Sequence, residues 1–358
     1  MSPGPNDPSP FARPPKAPGQ LSLGRRIRIM ATSAFAVATI AIMLGCLVAL
    51  WVYRAPGPVA RQGQDTTVIL RHGASVAEIS ADLKRAGVVG SAPIFAALTE
   101  MTGAGRKLKA GEYEFASRAS ILDILDKLRN GKIVHHFVTL PEGITSDEVA
   151  EVLTNNPVLT GSAPTPPEGS VLPETYSVER GEDRSAVLQR MMTARDKLLA
   201  KLWATRRPDL PYKTQEDAVT LASIVEKETA LADERPRIAG LFINRLKKGM
   251  RLETDPTVIY GLTRGRSLGH GLRESEMHSN TPYNTYIISG LPPGPIANPG
   301  KDALAAALQP ADTSELYFVA DGTGGHVFAS TFEEHEKNVQ RWRQIEAQAA
   351  AKTGGLRK

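Results

Sequence analysis

Cysteine is nearly absent: Cys46 is the only one in 358 residues, so no intramolecular disulfide can brace the fold. The seven histidines show no His-x-x-Glu-His or Glu-x-x-His spacing, so no metal centre is expected. Neither a Gly-Lys-Ser/Thr phosphate loop nor a Gly-x-Gly-x-x-Gly fingerprint occurs, which leaves no basis for a nucleotide cofactor. Ser223 lies in mid-helix sequence without the elbow of a serine hydrolase. The net charge is +5, but no compact basic motif follows the amino-terminal region, and nucleic acid is not an expected partner. Anionic wall polymers or lipid headgroups fit that charge better.

What is present begins with residues 1–28, rich in Pro, Ser and Gly and poor in large apolar side chains. Such a segment buries too little to offset its ordering entropy and should be a disordered cytoplasmic tail. Arg25, Arg26 and Arg28 precede an uncharged run over residues 29–53. At ~1.5 Å per residue the run spans roughly 37 Å, enough to cross a bilayer core of about 30 Å. It is too long for the ~7–15-residue core of a cleaved signal peptide. Trp51 and Tyr53 at its end suit an interfacial aromatic belt, and the Arg cluster puts the amino terminus in the cytoplasm. A lipobox at Cys46 is disfavoured because apolar sequence continues to Tyr53. Residues 54–64 read as a linker.

An internal repeat comes next. Val68 to Leu83 aligns without gaps on Val138 to Leu153, each copy a short strand, a glycine turn (Gly73, Gly143) and a helix opened by a capping box. The boxes are Ser75-x-x-Glu78 and Thr145-x-x-Glu148, and a looser third copy starts at Ser120-x-x-Asp123 and ends at Gly131. Units of this kind resemble LysM-like modules, which bind amino-sugar polymers, and residues 65–158 are assigned to such a region.

Residues 159–345 read as a second, mixed domain, with a flexible tail over 346–358. The spacing predicts a helix from Asp183 to Leu202. A second helix runs through Leu221-Ala-Ser-Ile-Val-Glu-Lys-Glu-Thr229, with Ala218, Leu221, Ala222, Val225 and Thr229 on one stripe. Glu226 and Glu228 flank that stripe; periodicity does not choose between them. A carboxyl against an apolar wall is either salt-bridged or kept protonated as a general acid. A third helix from about Asp233 ends at Gly249 and buries Ile238, Leu241, Phe242 and Leu246. Arg245 falls inside that stripe. It either extends past the stripe into water or is paired, and Glu228 and Asp255 are the nearest partners in sequence. Thr254 to Tyr260 reads as an Asx-Pro turn plus a short strand, Leu316 to Phe328 as a hairpin, and Glu333 to about Gln348 as a closing helix. The fold class is α+β: a single amino-terminal transmembrane helix, a LysM-like α/β subdomain and a mixed catalytic domain.

Six ordered stretches, Ser223–Thr229, Phe242–Leu246, Thr254–Tyr260, Pro282–Tyr286, Gly290–Gly294 and Tyr317–Asp321, resemble the consecutive motifs of the YceG-like family, the MltG-type endolytic murein transglycosylases. The resemblance runs from about Val68 to Arg343. It implies a lytic transglycosylase that cleaves the MurNAc–GlcNAc bond of nascent peptidoglycan and leaves a 1,6-anhydroMurNAc end, acting in glycan-strand termination. By position it puts the catalytic glutamate on Glu226. Asn244, Asp255, Tyr283, Asn284 and Tyr286 are then candidates for holding the glycan, with Glu228 and Arg245 structural. It further implies a single-pass protein of the cytoplasmic (inner) membrane with its carboxy-terminal part outside, and wall-synthesis enzymes as partners. A non-catalytic peptidoglycan-binding scaffold is the alternative that the repeat alone would allow, and a soluble small-molecule lyase a more distant one.

Overall fold

The computed structural model describes residues 23–61, 63–71 and 73–354. The expected disorder of the first residues and the last of the expected tail fall outside them. The chain divides into two compact units, residues 1–133 and 134–358.

In the first unit, helix α1 (Leu23–Arg54) is long and apolar enough to cross a membrane and exposes nearly all of its large side chains. It begins at Leu23, inside the stretch assigned to the tail: Leu23, Arg25, Arg26 and Arg28 are good helix formers and carry the helix through Gly24. Strand β1 (Asp65–Leu70), helices α2 (Val76–Ala86) and α3 (Ala92–Met101), strand β2 (Gly111–Ala116) and helix α4 (Ile121–Asn130) come after it. β1 and β2 pair antiparallel, from Asp65 opposite Ala116 to Leu70 opposite Gly111. Both expected capping boxes form, Ser75 with Glu78 on α2 and Ser120 with Asp123 on α4. Val68, Leu83, Phe95, Tyr113, Phe115 and Leu128 pack as the core.

The second unit opens with the second repeat copy: strand β3 (His136–Thr139), helix α5 (Ser146–Asn155) with its Thr145–Glu148 box, and strand β4 (Thr175–Val178) antiparallel to β3. Val138, Leu140, Val149 and Leu153 pack with Val171, Tyr176, Val187 and Met191, the last two from helix α6 (Arg184–Ala204). This copy therefore shares a core with β4 and α6, whereas the sequence assigned it to the repeat region ending at 158. Helices α7 (Gln215–Glu228), α8 (Arg235–Lys247), α9 (Asp255–Thr263), α10 (Glu274–Met277) and α11 (Lys301–Leu308) come next. The hairpin of strands β5 (Tyr317–Ala320) and β6 (His326–Ala329) and the last helix, α12 (Phe332–Gly354), complete the unit.

Three expectations need correction. Thr254 to Tyr260 is not a strand but the start of α9. Pro256 sits in its first turn, where the fixed φ and the missing N–H suit a helix, and Thr257, Val258 and Tyr260 are all buried. The last helix continues past Gln348 to Gly354. Arg245 is buried and paired, but its partners are neither Glu228 nor Asp255. It donates to the carbonyls of Leu316 (2.7 Å), Arg251 (3.0 Å) and Leu252 (2.9 Å) and to Glu253 Oε2 at 3.1 Å.

One guanidinium thus ties α8 to the segment before α9 and to the start of the hairpin. Replacing it leaves three carbonyls and a carboxylate without their donor. Arg245→Leu should cost about 3–5 kcal/mol, the range for losing one partner of a buried polar pair. Chemical denaturation gives the value; a midpoint equal to wild type would show the side chain to be dispensable.

Candidate active site

Helix α7 starts at a Thr214–Asp217 capping box and is buried from Ala218 through Val225. Burial goes all round, wider than the stripe read from periodicity, so the polar residues inside must bond locally. The Thr220 hydroxyl donates to the Glu216 carbonyl and that of Ser223 to the Thr220 carbonyl, while Ser223 Oγ accepts the Ile296 amide at 3.0 Å. The helix meets α8, α9 and α11, and past Val225 its last turn comes back to solvent.

Glu226 stands in that turn with its side chain only 4% exposed. The amide of Gly300, the residue that caps α11, donates to Glu226 Oε2 at 2.8 Å, and Arg235 Nη2 donates to Oε1 at 3.1 Å. The same Nη2 donates to Glu142 Oε2 at 3.2 Å, and Arg235 Nη1 lies 3.7 Å from Asp302 Oδ2. Burial raises the pKa of Glu226 above the usual carboxylate value, and the charge of Glu142 adds to it. The Gly300 amide and the Arg235 guanidinium oppose without prevailing.

Glu142 arrives on the glycine turn of the second repeat copy. Asn298 fixes that turn: its Oδ1 accepts the Val171 amide at 2.9 Å and its Nδ2 donates to the Ile144 carbonyl at 3.0 Å, while the Gly143 amide donates to the Asn298 carbonyl. Gly300 lets Glu142 come close: a Cβ there would lie 1.9 Å from Glu142 Oε1 and would push that side chain away from its present place.

Glu228 lies two residues on, against Thr254 and Asp255. Burial pushes its carboxyl up to about 7, with the charge of Asp255 adding and the nearby Thr254 hydroxyl opposing. It lines two openings. One, of about 350 Å³, is walled by Glu142, Gly143, Glu226, Lys227, Thr229, Ala230 and Arg235. The other, of about 480 Å³, is walled by Arg245, Leu252, Glu253, Thr254, Asp255, Tyr286, Tyr317, Phe318, Val319 and His335. A groove of about 580 Å³ shares Glu142, Gly143 and Lys227 with the first and continues along α5 past Glu148, Val152 and Asn155.

Of the residues singled out from sequence, Asp255, Tyr286, Glu228 and Arg245 meet in the larger opening, where the Tyr286 hydroxyl donates to Asp255 Oδ1 at 2.7 Å. The others are elsewhere. Asn244 donates to the carbonyls of Thr313 and Glu315 and ties α8 to the approach of β5. Asn284 is fully buried, donating to the carbonyls of Met277 and Ser279 and accepting the Tyr286 amide. Tyr283 packs on Tyr260, ring centres 4.8 Å apart. Sequence reading missed Glu142, Arg235, Asn298 and Gly300. The one available signal was Glu142 beside the repeat's glycine, at the position that His72 holds in the first copy. Among the described residues no group of three His, Cys, Asp or Glu side chains is arranged to hold a metal ion.

Comparison with known proteins matches residues 68–341 to the YceG-like family. The chain is 30% identical over 322 residues to an endolytic murein transglycosylase of Streptococcus pneumoniae serotype 2 (strain D39 / NCTC 7466), covering 76% of this chain and 57% of that protein's length. It is 29% identical over 320 residues to the endolytic murein transglycosylase of Bacillus subtilis (strain 168), covering 80% of this chain and 87% of the relative. A crystal structure of a yceG-like protein from Listeria monocytogenes aligns at a TM-score of 0.49 with 30% identity, over 76% of this chain and 98% of that one.

The raised carboxyl of Glu228 has a consequence for stability. The folded protein holds a proton there up to about pH 7, whereas the unfolded chain releases it near the ordinary value of 4.5. The contribution is therefore fully present below about pH 4.5 and is lost as pH rises through about 7. Glu228→Gln removes this titration, so its Tm should fall less between about pH 5 and 8 than that of wild type. Equal losses, measured by calorimetry, would show that Glu228 ionises normally.

Proposed function

The chain belongs to the YceG-like family, and from that membership we propose that it is a membrane-anchored endolytic lytic transglycosylase of peptidoglycan. The observation that carries the reading is the buried carboxyl of Glu226, held at the mouth of an opening between a backbone amide and a guanidinium. An ordinary glycosidase uses two carboxylates at set separations. A lytic transglycosylase manages with one, because its nucleophile, the C6 hydroxyl, belongs to the same muramyl residue and profits from high effective molarity. Protonated Glu226 gives its proton to the oxygen between MurNAc and GlcNAc, and the C1–O bond breaks. The resulting carboxylate takes the proton of the C6 hydroxyl as O6 bonds to C1, and a 1,6-anhydro ring forms without water being consumed. Burial that raises the pKa of Glu226 supports the first half, and the Arg235 and Gly300 donors support the second.

Asp255 and Tyr286, in the opening beyond Glu228, are the side chains proposed to touch sugar, while Asn244, Tyr283 and Asn284 shape the walls. A second reading assigns the acid to Glu228, favoured by its pKa of about 7. The strand–helix–helix–strand order of the first unit and the strand–helix of the second copy support the LysM-like reading, in which these units hold the glycan. With α1 in the membrane and its Arg-flanked end in the cytoplasm, the cut falls on strands near the membrane surface and ends their growth. Wall-synthesis enzymes are then neighbours.

Glu226→Gln should abolish the release of anhydromuramyl-ended fragments, read by mass spectrometry of treated glycan strands, while glycan binding persists. Loss of general acid–base help is worth about 10²–10⁴ in rate, and here one group supplies both halves. Glu228→Gln, on the same helix, should still cleave. If Glu228→Gln is the inactive variant, the acid is Glu228. If wild type releases nothing, the chain is a binding scaffold.

Topology has its own measurement. A reporter fused after Lys358 should be active only outside the cytoplasm, on a protein that keeps its amino terminus. A soluble, cleaved main species would make α1 a signal sequence instead of an anchor.

A further inference from the structure

We propose that Arg235 is the positioning residue of this site, shared between Glu226 and Glu142 so that one guanidinium serves Glu226 as carboxylate and Glu142 when Glu226 carries the proton. The proposal rests on Glu226 being the acid. Arg235 is the first residue of α8, and the turn it opens is pinned by Pro236 and by the Ala311 amide donating to the Pro236 carbonyl at 2.9 Å. Its side chain is 9% exposed, so its charge needs a partner at every stage of a catalytic cycle. Nη2 supplies two at once, 3.1 Å from Glu226 Oε1 and 3.2 Å from Glu142 Oε2.

The carboxylates differ in freedom. Glu226 is 4% exposed and held by Gly300, whereas Glu142 is 42% and Asp302 63% exposed. When Glu226 takes up a proton, Arg235 therefore keeps two solvated anions in reach and no buried charge is stranded. When Glu226 gives up its proton, the guanidinium is already on the spot to receive the carboxylate and hold it in one orientation. Arg235 Nε is buried with no partner, so the group is not locked on every edge and can pivot between the two glutamates. Besides Arg235, Glu142 and Asp302, its own helix brings two charged residues close to Glu226 in sequence. Lys227 Nζ is drawn to the Gly143 carbonyl at 3.4 Å, and Glu228 faces Thr254 and Asp255.

Removing Arg235 and removing Glu142 should move the protonation of Glu226 in opposite directions. The test uses the full chain on isolated glycan strands, with anhydromuramyl yield measured against pH. Cleavage needs protonated Glu226, so activity falls on the alkaline side as pH passes its pKa. Arg235→Gln should shift that limb up by about 1–3 units, the effect of an opposite charge at this range. It should also cut kcat about 10²-fold through misorientation. Glu142→Gln should shift the limb down, since Arg235 then serves Glu226 alone. Arg235→Lys should hold the limb near its wild-type place with kcat still depressed, because it keeps the charge and loses the shared nitrogen.

An Arg235→Gln limb that stays in place, in a protein whose Glu226→Gln variant is inactive, overturns the proposal. So does a Glu142→Gln limb that stays or moves up, which decides the matter if Arg235→Gln does not fold. An active Glu226→Gln variant would instead overturn the assignment of the acid.

Discussion

A single hydrogen bond, from the Gly300 amide to Glu226, joins the end of one helix to the start of another, and the site is arranged around it. α7 ends where α11 begins, so the carboxyl at the end of α7 accepts from a free amide at the positive end of α11. For the two ends to meet, the helices must run close together. α11 allows this with a face of Ala303, Leu304, Ala306 and Ala307. The Gly290–Gly300 segment must also arrive at a fixed height. Ser223 sets that height from inside α7 by accepting the Ile296 amide, and Asn298 sets it from the other side by gripping Val171 and Ile144. A serine in mid-helix is therefore neither a nucleophile nor an accident of composition; it is the register mark of the loop.

Two glutamates in one helical turn sit in opposed electrostatic conditions. Both lose water, which favours the neutral form. Glu226 gains an amide and a guanidinium in return, so burial wins by a narrower margin. Glu228 gains a hydroxyl and faces Asp255, and its carboxyl moves to about 7. Arg245 lines the same opening, but its Nε and Nη1 donate to carbonyls and to Glu253 and not to Glu228. A group that must give a proton and then live as a carboxylate needs the balanced environment of Glu226. One that must stay neutral suits the environment of Glu228. This contrast comes from the partners, since residue type and helix are the same.

The sequence disclosed what local chemistry decides. The three capping boxes, the buried helix that carries the two glutamates and the hairpin were all readable from patterns a few residues long. Thr254 to Tyr260 was misread because an Asp-Pro pair opens turns and helices alike, and only the burial of Thr257, Val258 and Tyr260 separates the two. Asn244 and Asn284 were read as candidates for holding the glycan because each falls inside a stretch that resembles a family motif. In the fold both donate to backbone carbonyls, a pairing that residue type cannot reveal. Glu142 and Arg235 stayed hidden for another reason. They are 93 positions apart, and Gly300 is 74 from Glu226, so nothing short of the fold brings them together.

The repeat shows how one local unit comes to do two jobs. Gly73 and Gly143 both adopt the left-handed backbone, at φ of 77° and 73°, and each leads into a capped helix. In the first copy Val68, Leu70, Ile79 and Leu83 pack in the core of the first unit. In the second, the residue before the glycine is Glu142, and the turn is held by Asn298 so that this carboxylate meets Arg235. Helix α5, next in the chain, then forms one wall of the groove leading away from Glu226. Its acidic side chains are already engaged, Glu148 in its own cap and Glu151 with Arg266 at 2.6 Å. A wall whose charges are neutralised in place offers hydrogen bonds and apolar surface instead of a net field. Along α5 such a wall suits the uncharged hydroxyl and acetamido groups of a sugar chain better than a cation, which would have to break cap or ion pair to reach Glu148 or Glu151.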